Sequence, residues 1–421
     1  ARRSTLHFPV VGIGASAGGL QAVLNILDTL SSEPGMAFVV VLHLSPEHES
    51  HAPGILQRRT RMPVVQVTRT VRIEMNHVYV IAPGVHLLMD DSQLVVSSPR
   101  GPRGRPVAID VFFRTLARAH RERAVAVVLS GTGSDGTLGL AEIKGEGGVS
   151  IAQDPVDAEY PSMPAAAIGG GHVDFVLASD EIVPKLVELW RNAQRMRLPD
   201  PETADLKVKA ETDPSSEAQA QAALGEIMTI LAVRTGNDFR HYKRGTVLRR
   251  LERRMQVTRQ PDLCAYRSYL ESHPQESQLL LQDMLISVTH FFRDRRAFET
   301  LEREVVTHAI ERRSPPTGLR AWSVGCATGE EAYSLAMLLN DHVPARRPPM
   351  SIQVFGSDID ERALAVARAG LYPETIATDI DSTRLGRFFD KDVGGYRVRK
   401  ALRDQILFSR HNVLSDPPRA C

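Results

Sequence analysis

The sequence predicts an α/β protein: a doubly wound parallel sheet first, then a small all-α domain, then a second, Rossmann-like α/β region. Three observations predict this. Short continuous apolar runs alternate with helical patterns over the first 190 or so residues, as in a parallel sheet covered on both faces. Residues 223–312 are rich in Leu, Arg and Glu and hold no convincing strand. After Ser314-Pro315-Pro316 the alternation of strand and helix returns.

Val10–Ile13 reads as the first strand, and Leu20, Val23, Leu24, Leu27 and Leu30 follow at helical spacing. Phe38–Leu42 and Ala124–Leu129 are buried strands. From Arg195 to Ala222 the composition turns to Pro, Asp, Glu, Ser and Gln, which predicts a linker that becomes partly helical toward Ala218–Leu224. Leu319–Val324 and Ile352–Phe355 are strands, with a helix over Glu330–Leu339 between them. The expected domains are 1–194, a linker 195–222, a helical domain 223–313, and 314–421.

A length of 421 residues suits two or three domains, and 43% apolar with 24% charged residues excludes a disordered chain. The net charge of +1 gives no whole-chain argument for nucleic acid. Three scattered cysteines exclude a disulfide scaffold or a cysteine-based zinc site and suggest a reducing compartment. No apolar run is long enough for a membrane span and no signal peptide opens the chain. The expectation is a cytoplasmic protein with no metal and no membrane insertion.

Gly12-Ile-Gly14-Ala-Ser16-Ala-Gly18-Gly19 joins the first strand to its helix. It fits a dinucleotide fingerprint, but the next strand ends in Leu42-His43 rather than an acidic residue, which disfavours an oxidoreductase. Gly14-x-Ser16-x-Gly18 also fits a nucleophile elbow, whose bland alternative is a glycine-rich turn. His43 follows the second strand, and Asp135 follows the Ala124–Leu129 strand. In a parallel sheet all three lie at the carboxyl edge, where a histidine can activate the serine and a carboxylate can orient the histidine.

Residues 8–190 resemble the catalytic domain of the CheB protein-glutamate methylesterases. The resemblance rests on Val11–Gly19, His43-Leu-Ser-Pro46, Val80–Gly84 with His86, Arg105-Pro106 before Asp110, Gly131–Gly136 and Met163-Pro164. It implies Ser16 as nucleophile, His43 as base and Asp135 as orienter. The implied chemistry is hydrolysis of glutamate γ-methyl esters on chemoreceptors, often with glutamine deamidation, and no cofactor. Family members usually have Met where Thr132 stands, and a receiver domain usually precedes this domain; with the first strand near residue 10, the expectation is a protein without one.

Trp322-Ser-Val-Gly325-Cys-Ala-Thr-Gly329-Glu-Glu331 runs from strand through a small-residue loop into a helix, and the next strand ends in Asp358-Ile-Asp360. Small residues admit a ligand close to the backbone, and a carboxylate at the strand end suits a ribose. The lack of a phosphate-cradling pattern disfavours a pyrophosphate ligand, and Glu331 suits a cationic amino group. Residues 223–421 resemble the CheR methyltransferases, through Phe239–Lys243, Leu248–Met255, Ser287–Asp294, Gly325–Glu331, Ser357–Asp360, Ala367–Tyr372 and His411–Leu414. The resemblance implies S-adenosylmethionine as cofactor, contacted by Thr289, Arg293, Glu331, Asp358, Asn412 and Val413. Arg293 would also orient the substrate carboxylate; Ser287 stands where the family often has Asn.

Between Arg234 and Gln260 nine Arg or Lys face two acidic residues. Without interleaved aromatics this does not read as a nucleic-acid surface. The resemblance assigns it to the acidic methylation helices of chemoreceptors. The family continues beyond the Asn412 region into further strands, so the expectation is a truncated sheet with an unpaired edge and a poorly stable methyltransferase half. The whole reads as a bifunctional receptor-modifying protein, the alternative being a docking scaffold with one or both sites inactive.

Overall fold

The computed structural model describes residues 4–43, 50–98, 107–196, 214–286, 288–306, 308–309, 318–342, 350–392 and 395–417. Leu44–Pro46, Arg105-Pro106, Ser287 and most of the expected linker lie outside them. The chain forms two compact units, Ala1–Ile286 and Ser287–Cys421.

The first unit is built on a seven-stranded parallel sheet. Its spatial order is Phe175–Leu177, Val149–Gln153, Ala124–Val128, Val10–Ala15, Ala37–Leu42, Val78–Ile81 and Val64–Val67. Every residue of Val10–Ala15 and Ala37–Leu42 is buried, which is why these strands read as unbroken apolar runs. The chain builds one side of Val10–Ala15 first and then crosses to the other, so the sheet's switch point lies between that strand and Ala124–Val128.

The helix Ala108–His120 lies so close to the central strand that a Cβ at Gly12 would stand 2.9 Å from the Phe112 ring, and one at Gly14 2.4 Å from Ile109. The two glycines of the apparent dinucleotide fingerprint therefore serve helix-on-strand packing. A smaller antiparallel sheet, Val71–Arg72, Gln93–Ser97 and His86–Asp90, flanks the fold.

Helices Pro214–Thr235, Arg244–Thr258, Leu263–Ser272 and Pro274–Met284 complete this unit around a core that includes Ile227, Leu231, Leu251, Met255 and Tyr266. The first begins at Pro214, well inside the segment expected as linker, because the Ser/Glu/Ala/Gln run after that proline carries helix formers.

In the second unit Leu319–Val324, Ile352–Asp358 and Ile406–Arg410 form a three-stranded parallel sheet in that order. The helix Glu330–His342 follows the first strand, and Glu361–Ala369 follows the second. A separate antiparallel sheet joins Leu371–Pro373, Gly395–Val398 and Phe389–Asp392. Among the described residues Ile406–Arg410 pairs with Ile352–Asp358 alone.

Candidate active sites

Ser16, His43 and Asp135 meet at the carboxyl edge of the seven-stranded sheet, beside the switch point. His43 Nδ1 lies 3.1 Å from Ser16 Oγ, and His43 Nε2 lies 2.8 Å from Asp135 Oδ2. Each arrives by its own strand end: Ser16 N–H donates to the Ser130 carbonyl at 3.0 Å, and His43 N–H to the Ala15 carbonyl at 3.3 Å. The chemistry needs a lone pair toward the hydroxyl and an N–H toward the carboxylate, and either imidazole edge can supply this.

Asp135 is 5% exposed, yet its carboxylate is fully engaged. Ile109 N–H donates to Oδ2 at 3.0 Å and Asp110 N–H to Oδ1 at 2.9 Å. These are first-turn amides of Ala108–His120, where orphan donors and the helix dipole favour negative charge. The close packing at Gly12 and Gly14 is thus what delivers those donors. Gly131 forms the opposite wall; a Cβ there would lie 2.9 Å from Ser16 Cβ and 2.7 Å from Met163.

Ser16 lies between the strand Val10–Ala15 and the helix Gly19–Thr29, and the left-handed residue of the turn that follows it is Gly18, at φ 68°. Thr132 is exposed in the loop beyond Gly131. His86 feels the Asp135 charge, but burial outweighs it and pushes the imidazole below its usual range.

In the second unit the loop after Leu319–Val324 is tied down by its neighbours. Gly325 and Cys326 N–H both donate to the Ser357 carbonyl, at 2.8 and 3.0 Å. The buried Tyr372 hydroxyl donates to the Thr328 carbonyl at 2.7 Å. Asp358, 7% exposed, accepts Ala327 N–H at 2.8 Å on one oxygen and Asp360 N–H at 2.9 Å on the other. His411 N–H donates to the Asp358 carbonyl at 3.0 Å, which sets Asn412 and Val413 at the end of the adjoining strand.

Glu331 is exposed and steadied by the Ser323 hydroxyl at 2.8 Å. The segment with Thr289 and Arg293 is held by Phe292 N–H donating to Ser334 Oγ at 3.0 Å, one turn into the helix that carries Glu331. Arg293 itself is exposed, its guanidinium on the Val288 carbonyl.

The residues fit an adenosine cofactor with a cationic amino-acid arm. A Cβ added at Gly325, φ 68°, would meet nothing within 4 Å, so the loop borders open space. The exposed Glu331 carboxylate stands beside that loop, and Asp358 ends the next strand with acceptor capacity left on both oxygens. Burial and the Asp358 charge push the Cys326 thiol up to about 12, which makes it a packing residue rather than a nucleophile. Among the described residues no His/Cys/Asp/Glu cluster could hold a metal, and no helix is long and apolar enough to cross a membrane.

Three stretches of the chain match known families: CheB methylesterase over residues 11–186, the CheR methyltransferase all-alpha domain over 222–285, and the CheR SAM binding domain over 287–420. A relative in Leptospira interrogans, named for protein-glutamate methylesterase/protein-glutamine glutaminase, is 33% identical over 195 residues, covering 46% of this chain and 100% of its own length. The chain belongs to the CheB methylesterase family and carries CheR methyltransferase domains behind it. Chemotaxis protein methyltransferase 2 of Pseudomonas aeruginosa is 32% identical over 184 residues, 43% of this chain and 64% of that protein. An uncharacterised 104.1 kDa protein of Rhodobacter capsulatus is 39% identical over 373 residues, 87% of this chain, and the match spans about two fifths (39%) of that relative.

Sequence reasoning missed what the basic run of the CheR helical domain does. Of its nine cations, eight have partners within this unit. Arg234 donates to the Leu270 and Glu271 carbonyls, Arg240 to Asp238, and Arg244 to Gln221. Arg249 lies on Glu146, and Arg250 donates to the Lys144 and Gly145 carbonyls at 2.9 and 2.7 Å. Arg253 bridges Asp174 and Asp283, Arg254 grips Glu276 with two bonds, and Arg259 pairs with Glu188. Arg250, Arg253 and Arg254 are buried, whereas Arg234, Arg240, Lys243 and Arg259 are exposed. The sequence carries no signal of this, because at 100° per residue Arg250 and Arg253 lie outside the apolar stripe of Leu248, Leu251 and Met255.

Proposed function

We propose that the CheB domain hydrolyses glutamate γ-methyl esters on chemoreceptors by a serine–histidine–aspartate mechanism, and releases ammonia from receptor glutamines by the same route. The observation that carries this reading is the continuous hydrogen-bonded chain from Ser16 Oγ through His43 to the buried Asp135 carboxylate. Ser16 Oγ attacks the ester carbonyl while His43 Nδ1 takes its proton. Collapse of the tetrahedral intermediate breaks the C–O bond, and His43 returns the proton to the departing methanol. Water then enters with His43 again as base, and the glutamate carboxylate and free serine are restored. Ser16 lies just before the turn that opens the helix Gly19–Thr29, and a helix N-terminus favours a developing oxyanion.

For the CheR half we propose that Thr289, Arg293, Glu331, Asp358, Asn412 and Val413 hold S-adenosylmethionine, which supplies an electrophilic methyl group when bound. A receptor glutamate is already an anionic nucleophile, so the residues' task is positioning, with Arg293 set to orient its carboxylate. Glu331→Gln is expected to weaken cofactor binding about tenfold by calorimetry, the scale of one lost charge-assisted contact.

Methanol release from methyl-labelled receptor membranes, compared between this chain and Ser16→Ala, tests the esterase. Release that vanishes in the variant supports it. Release from neither folded protein overturns it and favours a docking role.

A further inference from the structure

At the amino edge of the seven-stranded sheet, away from Ser16, lies a cleft of about 460 Å³. Its floor is a cross-strand row in which Val11 pairs with Val125, and Val125 with Val149. All three valines are buried. Residues aligned across parallel strands share a face, and two strand spacings make this floor about 10 Å wide. One wall is the helix Ile182–Arg195, which brings Leu186, Leu189 and Trp190. The other is the helix Arg244–Thr258, which brings Glu252 and Gln256. Asn192 Nδ2 donates to the Met255 carbonyl at 3.5 Å and joins the two walls. Gln256 is only 6% exposed, yet its side-chain amide makes no hydrogen bond among the described residues. A buried amide left in this state is unfavourable unless an occupant of the cleft completes it. The charged groups of the lining are already engaged: Glu122 and Glu252 have partners, and Arg123 Nη2 donates to the Ser4 carbonyl at 3.5 Å.

We propose that this cleft binds an uncharged, flat apolar molecule with a carbonyl or amide edge, its apolar body on the valine row beside Trp190 and its polar edge on Gln256. The volume is that of a small-molecule site, mostly apolar with few polar groups to fix orientation. A level row of valines next to an indole suits a ring, which gains area and edge or stacking contacts together. The Gln256 amide offers two donors and one acceptor, the complement of a carbonyl or an amide. A charged ligand would give up its hydration without finding a counter-ion, because the ionic side chains of the lining are taken. The five steps of chain from Val11 to Ser16 span about 16 Å of extended strand, so the occupant is distinct from the ester substrate. The site depends on neither catalytic reading.

Prodan, an uncharged naphthalene ketone, is the probe. The chain has two tryptophans, so the full chain with Trp322→Phe leaves Trp190 as the lone donor for energy transfer to it. Saturable transfer to one prodan per chain is the expected result. Gln256→Leu is expected to weaken binding about tenfold, the scale of one hydrogen bond. Ala193→Phe, which sets a ring into the cleft lining, is expected to abolish it. Thermal midpoints identify the variants that fold, and either one suffices. No saturable transfer in the folded parent overturns the proposal, as does binding that a folded variant leaves unchanged. Anilinonaphthalene sulfonate, an anionic naphthalene, is expected to displace prodan at least about tenfold less well than unlabelled 2-acetylnaphthalene, an uncharged ketone. Equal displacement by the two overturns the assignment to an uncharged ligand.

Discussion

The backbone N–H of Asp110 donates to Asp135 Oδ1 at 2.9 Å, so the triad carboxylate is held by a helix that contributes no side chain to it. The same Asp110 accepts Gly139 N–H on its own Oδ1 at 2.6 Å, which pins the helix that begins just after Asp135. The acid of the triad is therefore clamped from both sides. Asp135→Asn should cut kcat about ten-thousandfold with little change in KM. An amide can donate to His43 Nε2, leaving the proton on Nδ1 where the serine needs a lone pair. Methanol release at saturating methylated receptor checks this.

The buried arginines should dominate the stability of the first unit. Arg253→Ala strands two carboxylates that are 3% exposed, and the expected cost is about 3–5 kcal/mol in chemical denaturation. Arg240→Ala, which removes an ion pair to Asp238 at the surface, should leave the midpoint unmoved.

His120 makes the first unit acid-sensitive. It is 1% exposed, and neither ring nitrogen has a hydrogen-bond partner among the described residues. Burial, aided by the Arg123 cation, pushes it down to about 4 from 6.5. Between those values the unfolded chain binds a proton that the folded chain refuses, so stability falls as pH drops through that window. The loss approaches about 3 kcal/mol below pH 4. His120→Leu should flatten this part of a stability–pH curve measured by urea denaturation.

Glu330 should act with the opposite sign in the CheR SAM binding domain. Burial pushes its carboxyl up to about 7 from 4.5, although the Thr328 hydroxyl donates to it at 2.6 Å. The folded chain keeps a proton that the unfolded chain releases between those values, so stability present at pH 4.5 is lost as pH rises to 7. Glu330→Gln keeps the acceptor and removes the charge. The variant's melting temperature should exceed that of the parent at pH 8 and match it at pH 4.

Much of this architecture is legible along the chain. The strands before Ser16 and His43 are unbroken apolar runs because both faces are covered, and the residues that end them must lie at one edge of a parallel sheet. The loop Gly325–Glu331 and Asp358 follow from the same rule. Strand ends are local facts.

Three features are not local. The role of Gly12 and Gly14 depends on a helix about a hundred residues away, so their spacing imitates a nucleotide fingerprint. The donors that hold Asp135 are backbone amides, which carry no residue signature. The arginines of Arg244–Thr258 read as a solvent-facing charge run, because sequence reports the charge of a guanidinium but not whether its carboxylates lie on the same fold. Order along the chain determined which side chains reach the sheet edge. Only the tertiary structure decided which charges are buried in pairs, since pairing depends on distances between segments that the backbone brings together after folding.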